Sequence, residues 1–429
     1  MSDSSVAPKT EPSSSRTPPR RAFNFTLTPA LIAWAAVFGG AALRIVEAAG
    51  DRGYYMDEVS LVHNIAGRGV FHLTSPMVEH QLAPPAFLVV ERAVAYFAGA
   101  SRPALRVVPL LFGLASLPLF YVTARRYVSE VAATLAIWLF ALNDSILYYS
   151  NEIKQYSCEL FFAIATLWVA DRLARVELTP RRAWAACGFG VLATWFSLTA
   201  CFPLGAAGVV LVATALQARK RRRAAILTAV SAAWGASFVA VFLLSEHIMM
   251  KHEFIWNWWD FAFLPIPPRS LSDLRSLGLT FLNVFTNPFA LFTPLGTLLS
   301  AILAALLFFV GSAALARRDG ARFLILWGPM VLTSAASAAH KYPFHGRLLL
   351  FLAAAVLLPI AEGMAVVGRR VGRVPLILLA VLIFVIPSCE ELDNVERPRS
   401  RPFDSHGDLR GDLFDHLERN SAGFRWPMD

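Results

Sequence analysis

Residues 84–99 read PPAFLVVERAVAYFAG, and whether they cross a membrane decides the topology of the whole chain. The stretch is apolar enough for a span, but Glu91 and Arg92 sit in its middle. Lys and Arg collect in cytoplasmic loops, so the basic clusters on either side test the question. Arg20 and Arg21, Arg125 and Arg126, 172–182, 219–223, 317–322 and 369–373 fall in every second connection between the other apolar segments. A crossing at 84–99 would throw every later cluster to the opposite side. The segment is therefore read as an amphipathic or re-entrant helix at the outer interface.

The segments around it are strongly apolar. Of 429 residues, 56% are hydrophobic and 16% charged, with a mean hydropathy of +0.53. A soluble domain carries about 25% charged residues, and a bilayer crossing takes about 20 apolar ones. The chain is predicted to be an all-α polytopic membrane protein with about eleven transmembrane helices and interfacial helices in its first outer loop. The spans are expected at 27–46, 104–123, 131–149, 157–174, 183–200, 202–217, 224–244, 289–315, 323–339, 347–366 and 374–388. Residues 1–26 are rich in Ser, Pro and charge and are predicted to be a disordered cytoplasmic N-terminus. The first apolar segment is too long for a short h-region and no small-residue cleavage site follows it, so it is read as an uncleaved anchor. Residues 27–388 form the membrane domain, and 389–429 a short polar tail outside, with a helix expected around 408–419.

The formal net charge of +9 lies in the topology clusters. That is not the footprint of a nucleic-acid partner. Four scattered cysteines show neither a zinc spacing nor a disulfide framework.

The outer connections are then 47–103, 150–156, 246–288, 340–346 and the tail, and function is expected on that face. In YYMDEVSLV, residues 54–62, Asp57 and Glu58 follow the first span directly. Asp57 suits the N-cap of a short helix running to about Gly67. Two acids beside a bilayer are also costly unless used or paired, which points to a base at the membrane surface. The same loop carries EHQLAPPAF, with His80 and Gln81 as candidate acceptor or sugar contacts. LYYSNEIKQYSCELFF, 147–162, brings Glu152, Lys154 and Tyr156 to the outer end of a span. HKYPFHGRLLLF, 340–351, crowds His340, Lys341, His345 and Arg347 where basic clusters are otherwise avoided, as an anion site would. A phosphate is the natural ligand, since Arg grips it through a bidentate fork. SRPALRVVPLLFG adds Arg102 and Arg106 on the same side. The aromatic loop 246–288 offers Trp256, Trp258, Trp259 and Phe261 as a stacking platform or as belt residues. His247, His252 and Glu253 do not have the spacing of a zinc helix, and no obligatory metal is expected.

A carboxylate beside phosphate-ready cations suits group transfer from a lipid-linked phosphate. The carboxylate takes the acceptor's proton, and the cations hold the leaving phosphate. In order along the chain, the Asp-Glu pair, HQLAPPAF, ALRVVPLLFGLASL, YYSNEIKQY and YPFHGRLLLF resemble the glycosyltransferases of the C superfamily, specifically family 39. That family includes the protein O-mannosyltransferases and the lipid A aminoarabinose transferase. The resemblance covers roughly residues 29–388. It implies a polyprenyl-phosphate-sugar donor, an active site on the periplasmic face of a bacterial-type inner membrane, and an inverting displacement. Asp57 would be the catalytic base, with Glu58 its neighbour in the acidic motif. Arg106 would lie near the lipid phosphate, Glu152 would be the second acidic residue, and Arg347 would contact the donor phosphate.

The chain departs from the family at three points. Glu152-Ile153-Lys154-Gln155 stands where Glu-Ala-Arg is common, Leu348 follows Arg347 where Tyr is usual, and the tail is short. Some relatives in the wider superfamily use a divalent cation, for which Asp57 and Glu152 would be the ligands. The sugar, and whether the acceptor is a glycan, lipid or protein, are not encoded in these motifs. A lipid or lipid-linked-sugar transporter is the alternative of a different class, and it would be expected to show internal repeats.

Overall fold

The computed structural model describes residues 28–50, 53–69, 77, 81–246 and 253–396. The expectations for 1–26, for a helix at 408–419 and for His80, His247 and His252 lie outside these residues. Among the described residues every regular element is a helix.

Thr28 caps α1 (Pro29–Ala49) by accepting from the Leu31 N–H at 3.3 Å, and Pro29 opens it. Pro suits that position because the first helical N–H has no partner to lose. Two short helices follow, α2 (Met56–Gly67) and α3 (Pro85–Ala98). The 14 residues of α3 reach about 21 Å at 1.5 Å per residue, short of a hydrocarbon core of about 30 Å. This helix is the 84–99 segment, and it packs against α2. Next come α4 (Arg102–Leu105) and α5 (Val107–Tyr127), then α6 (Glu130–Ala141) and α7 (Asp144–Tyr149). The helix pair α6–α7 breaks at Asn143, whose side chain caps α7 by accepting from the Ile146 N–H at 3.1 Å.

The remaining helices are α8 (Tyr156–Arg175), α9 (Pro180–Phe196), α10 (Cys201–Gln217), α11 (Arg221–Val241), α12 (Glu253–Trp259), α13 (Leu271–Thr286), α14 (Thr297–Arg318), α15 (Gly320–Ala338), α16 (Ala353–Val371) and α17 (Arg373–Glu396). Among the described residues seven helical stretches are long and apolar enough to cross a membrane, and the protein is a multi-pass membrane protein. The four other expected spans are helical as well. They are shorter (α6 with α7, and α9), carry charge (Glu159, Asp171 and Arg172 in α8), or are apolar only as far as Cys389 (α17). Among the described residues, seven of the eleven expected spans meet both length and apolarity.

Two expected boundaries move. The span predicted at 289–315 starts only at Thr297, after Gly296 at φ +86°. Phe289, Ala290, Leu291 and Phe292 are buried in a loop, where Asn143 donates to the Phe289 carbonyl at 2.6 Å. Hydropathy reports burial, and here the burial is in irregular backbone. The outer connection 246–288 also holds a 16-residue helix, α13, which follows the aromatic stretch and is not among the expected elements.

The centre of the bundle is α16, preceded by a 3₁₀ turn at Gly346–Leu352. It lies against α14 with backbones touching: a Cβ on Gly311 would strike the Pro359 carbonyl, and one on Gly363 the Leu307 carbonyl. Small residues permit this approach, and dispersion rather than the hydrophobic effect holds helices together in lipid.

The charges sort to two ends. Arg126, Arg175 and Arg322 meet at Asp171, Arg318 reaches the Tyr127 carbonyl, Arg223 reaches the Val176 carbonyl at 3.0 Å, and Arg369 pairs with Glu362. These residues come from the alternate basic connections, gathered at one end. Asp57, Arg106, Lys154 and Arg347 gather at the other.

Candidate active site

Tyr55 is the N-cap of α2, and the cap contact is made by Glu58, which accepts from the Tyr55 N–H at 2.9 Å. The helix ends at Gly67 as expected, but Asp57 is not the cap. Glu58 also accepts from the Ile153 N–H at 3.0 Å and pairs with Arg106 at 3.2 Å. Arg106 in turn donates to the Gly53 carbonyl at 3.1 Å and lies 5.7 Å from the Tyr54 ring centroid. One buried ion pair thus ties the start of α2, the α4–α5 junction and the 150–155 turn together. Burial in this knot pushes the Tyr54 hydroxyl up; Arg106 opposes that and Glu58 adds to it.

Held in this way, α2 turns Asp57 toward the 3₁₀ turn before α16. Gly346, at φ +50°, is the left-handed residue that lets the chain fold back there, and a Cβ would crowd Asn287 at 3.3 Å. Arg347 follows, donates to the Asp57 carboxylate, and lies 5.8 Å from the Tyr156 ring centroid. Lys154 donates to the Gln81 amide oxygen, and its charge acts on Asp57. Burial, the largest influence on Asp57, would raise its pKa. The Arg347 and Lys154 charges and the Arg347 hydrogen bond outweigh it and hold the carboxyl below its usual range. Burial pushes the Lys154 ammonium down; Asp57, Glu152 and Glu58 resist this, and Arg347 adds to it. Glu152, 1% exposed, lies within electrostatic range of Lys154.

The structure therefore brings Asp57, Glu58, Arg106, Glu152, Lys154, Tyr156, Gln81 and Arg347 together. His340, Lys341, His345 and Trp256 form a second group. His340 stacks on Phe263 at 4.8 Å, His345 meets Phe261 edge-on at 5.1 Å, and Trp256 packs against Phe263 at 5.7 Å. Lys341 is exposed. The backbone bond from the Phe344 N–H to the Ala262 carbonyl, 2.8 Å, fastens this aromatic segment beside the Arg347 turn. Among the described residues no three His, Cys, Asp or Glu side chains gather as metal ligands.

Arg44 was missed by sequence reasoning. Fully buried in α1, it donates to Ser150 Oγ at 3.2 Å and to the Gly40 and Ala141 carbonyls at 2.9 and 3.3 Å. Glu47 accepts from Asn151 at 3.0 Å. Both support the turn that presents Lys154, and their signal was one charge inside the first expected span and one just past its end.

No family model matches the chain, and no curated protein matches it. Among solved structures it is similar to an oligosaccharyltransferase of Archaeoglobus fulgidus in complex with Zn and sulfate. The TM-score is 0.53 at 15% identity, over 93% of this chain and 59% of that one. This chain shares the fold of that oligosaccharyltransferase. It spans about three-fifths of that protein's length. ArnT from Cupriavidus metallidurans also matches, in the apo state (TM-score 0.49, 14% identity) and bound to undecaprenyl phosphate (0.49, 15%), each over 78% of this chain and 60% of that one.

Proposed function

We propose that the protein is a membrane glycosyltransferase that moves a sugar from a polyprenyl-phosphate donor to an acceptor at the outer, periplasmic face of the inner membrane. The observation that carries this reading is the Asp57–Arg347 pair, made by residues 290 positions apart at one end of the bundle. The acceptor's nucleophile forms a bond to the anomeric carbon as the bond from that carbon to the donor phosphate breaks. The acceptor's proton passes to Asp57, and the bonding electrons leave on the phosphate, with inversion.

Arg347 and Lys154 neutralise the charge that gathers on the leaving phosphate, the stage at which fixed cations stabilise most. As donor phosphate takes Arg347, Asp57 loses the hydrogen bond that depressed its pKa and becomes the stronger base. Glu58 and Arg106 are positioning residues, since they hold α2 to the 150–155 turn and are spent on each other. Glu152 orients the acceptor, or serves with Asp57 as a metal ligand if a divalent cation takes part. Trp256, His340 and His345, on the aromatic segment beside Arg347, contact the sugar or the acceptor. The ordered motifs and the fold of known glycosyltransferases both support this assignment. Turnover of a labelled lipid-linked sugar in wild-type membranes, lost in Asp57→Asn protein that still folds, is the expected result; undiminished turnover in that variant would remove Asp57 as the base.

A further inference from the structure

The transferase reading gives no task to Arg44, although a charge inside a spanning helix is costly unless it is paired or used. Arg44 is fully buried in α1. Its Nε donates to Ser150 Oγ at 3.2 Å, and another nitrogen of the same guanidinium donates to the Gly40 carbonyl at 2.9 Å and the Ala141 carbonyl at 3.3 Å. Ala141 is the last residue of α6, and Ser150 follows the six residues of α7 directly. One side chain therefore grips the chain on both sides of α7.

The turn 150–155, buried throughout, leads from that grip to the site. Ser150 Oγ donates to the Ile146 carbonyl at 2.6 Å, and its side chain lies so close to α5 that a Cβ on Gly113 would strike it. Asn151 donates to Glu47, three positions beyond Arg44 on α1, at 3.0 Å. The Ile153 N–H is taken by Glu58 at 3.0 Å, and the Gln155 amide reaches the Leu82 carbonyl at 3.4 Å. Lys154, 4% exposed, rises from the middle of these anchors. Its ammonium sits on a flexible four-carbon stem, so the backbone beneath it has to be fixed. A misplacement of about 1 Å at a reacting centre costs up to about a hundredfold in rate.

We propose that Arg44 is a positioning residue for Lys154: it clamps both ends of α7 and so fixes the turn from which Lys154 reaches the leaving phosphate. The inference rests on the assignment of Lys154 to that phosphate. It requires a guanidinium, because the three acceptors lie apart and only a planar fork spreads its donors between them; an ammonium concentrates its donors at one point.

The test uses the full chain in detergent and the variant Arg44→Lys, which keeps the charge and loses the fork. Modification of Lys154 by acetic anhydride, read by mass spectrometry, reports the clamp without reference to turnover. The modification rate should rise about tenfold in Arg44→Lys, the size of one lost charged hydrogen bond. Turnover of a labelled lipid-linked sugar should fall by a similar factor. Residues that act through one another are not additive, so in a Lys154→Met background Arg44→Lys should cost less than about twofold more. Asp171→Asn, which breaks a buried cluster at the opposite end of the bundle, should destabilise the protein and leave Lys154 modification at the wild-type rate. Should Arg44→Lys not fold, Ser150→Ala removes one of the three acceptors and should raise modification by a smaller factor. Faster modification in Arg44→Lys with no turnover even in wild type would uphold the clamp and defeat the transferase reading. Unchanged modification in Arg44→Lys, an equal rise in Asp171→Asn, or the full loss of turnover repeated in the Lys154→Met background would overturn the proposal.

Discussion

Two neighbouring carboxylates on the first turn of α2 sit in opposite circumstances. Glu58 and Arg106 are 1% and 4% exposed and surrounded by backbone partners; Asp57 and Arg347 are 20% and 24% exposed and open to a ligand. The buried pair is a knot that fixes three segments. The open pair is a contact that can be exchanged. Residue type and sequence position do not separate them. What separates them is which side of one helical turn faces the Ile153 backbone.

Removing each acid in turn gives the sharpest contrast. Asp57→Asn should cost about a hundred- to ten-thousandfold in turnover, the usual worth of a positioned general base. Its thermal midpoint should stay close to wild type, because a partly exposed pair contributes at most about 1 kcal/mol. Glu58→Gln should do the reverse in stability. It removes the Glu58 charge from the buried Arg106 guanidinium, and breaking a buried pair in this way costs about 3–5 kcal/mol. Comparable destabilisation by both variants, read from thermal unfolding in detergent, would erase the distinction between knot and exchangeable contact.

The pH profile sharpens it further. Asp57 has a depressed pKa, so its ionised form is present above that value and is lost only as pH falls below the ordinary aspartate range. Lys154 is also depressed, so its charge disappears as pH rises, earlier than for an ordinary lysine. Turnover should therefore fall on the alkaline side. In Lys154→Arg that limb should move beyond pH 10, at a cost of about tenfold or less in rate. An unchanged alkaline limb would show that Lys154 is not the group that titrates.

The smallest effect belongs to Glu91. It is fully buried in α3, neither of its oxygens has a hydrogen-bond partner among the described residues, and burial raises its pKa from 4.5 to about 9. The folded protein holds that proton where the unfolded chain has lost it, so stability should fall as pH rises from about 4.5 toward 9. Glu91→Gln should flatten this slope in unfolding measurements across pH 5–9, with little change in activity at neutral pH.

The sequence showed where charge goes more fully than where helices begin. Alternating arginine clusters gave the two ends of the bundle, and Glu91 with Arg92 marked 84–99, the 14-residue α3, as unlike the other apolar segments. Legibility failed where burial and secondary structure part company. Phe289 to Phe292 are as apolar as a span, but Pro288, Pro294 and Gly296 leave them in a buried loop. The amphipathic α13 went unread because a strongly aromatic stretch precedes it. At the site, the acidic pair and Arg347 were legible as an assembly. That Glu58 and not Asp57 caps α2 was not, because both residues suit a first turn and only the Ile153 N–H decides between them. Arg44 and Asp171 were hidden for a related reason: charges within apolar spans have partners from distant helices that no local pattern reveals.

The most direct test is the lipid that co-purifies with the protein, identified by mass spectrometry for wild type, Asp57→Asn and Arg347→Ala. Wild type should carry polyprenyl phosphate, the product of transfer. Asp57→Asn should carry the same lipid with its sugar still attached, and Arg347→Ala should carry neither. Ordinary phospholipid alone in all three, or polyprenyl lipid retained in Arg347→Ala, would contradict the assignment of Arg347 to the donor phosphate and of Asp57 to the step that follows.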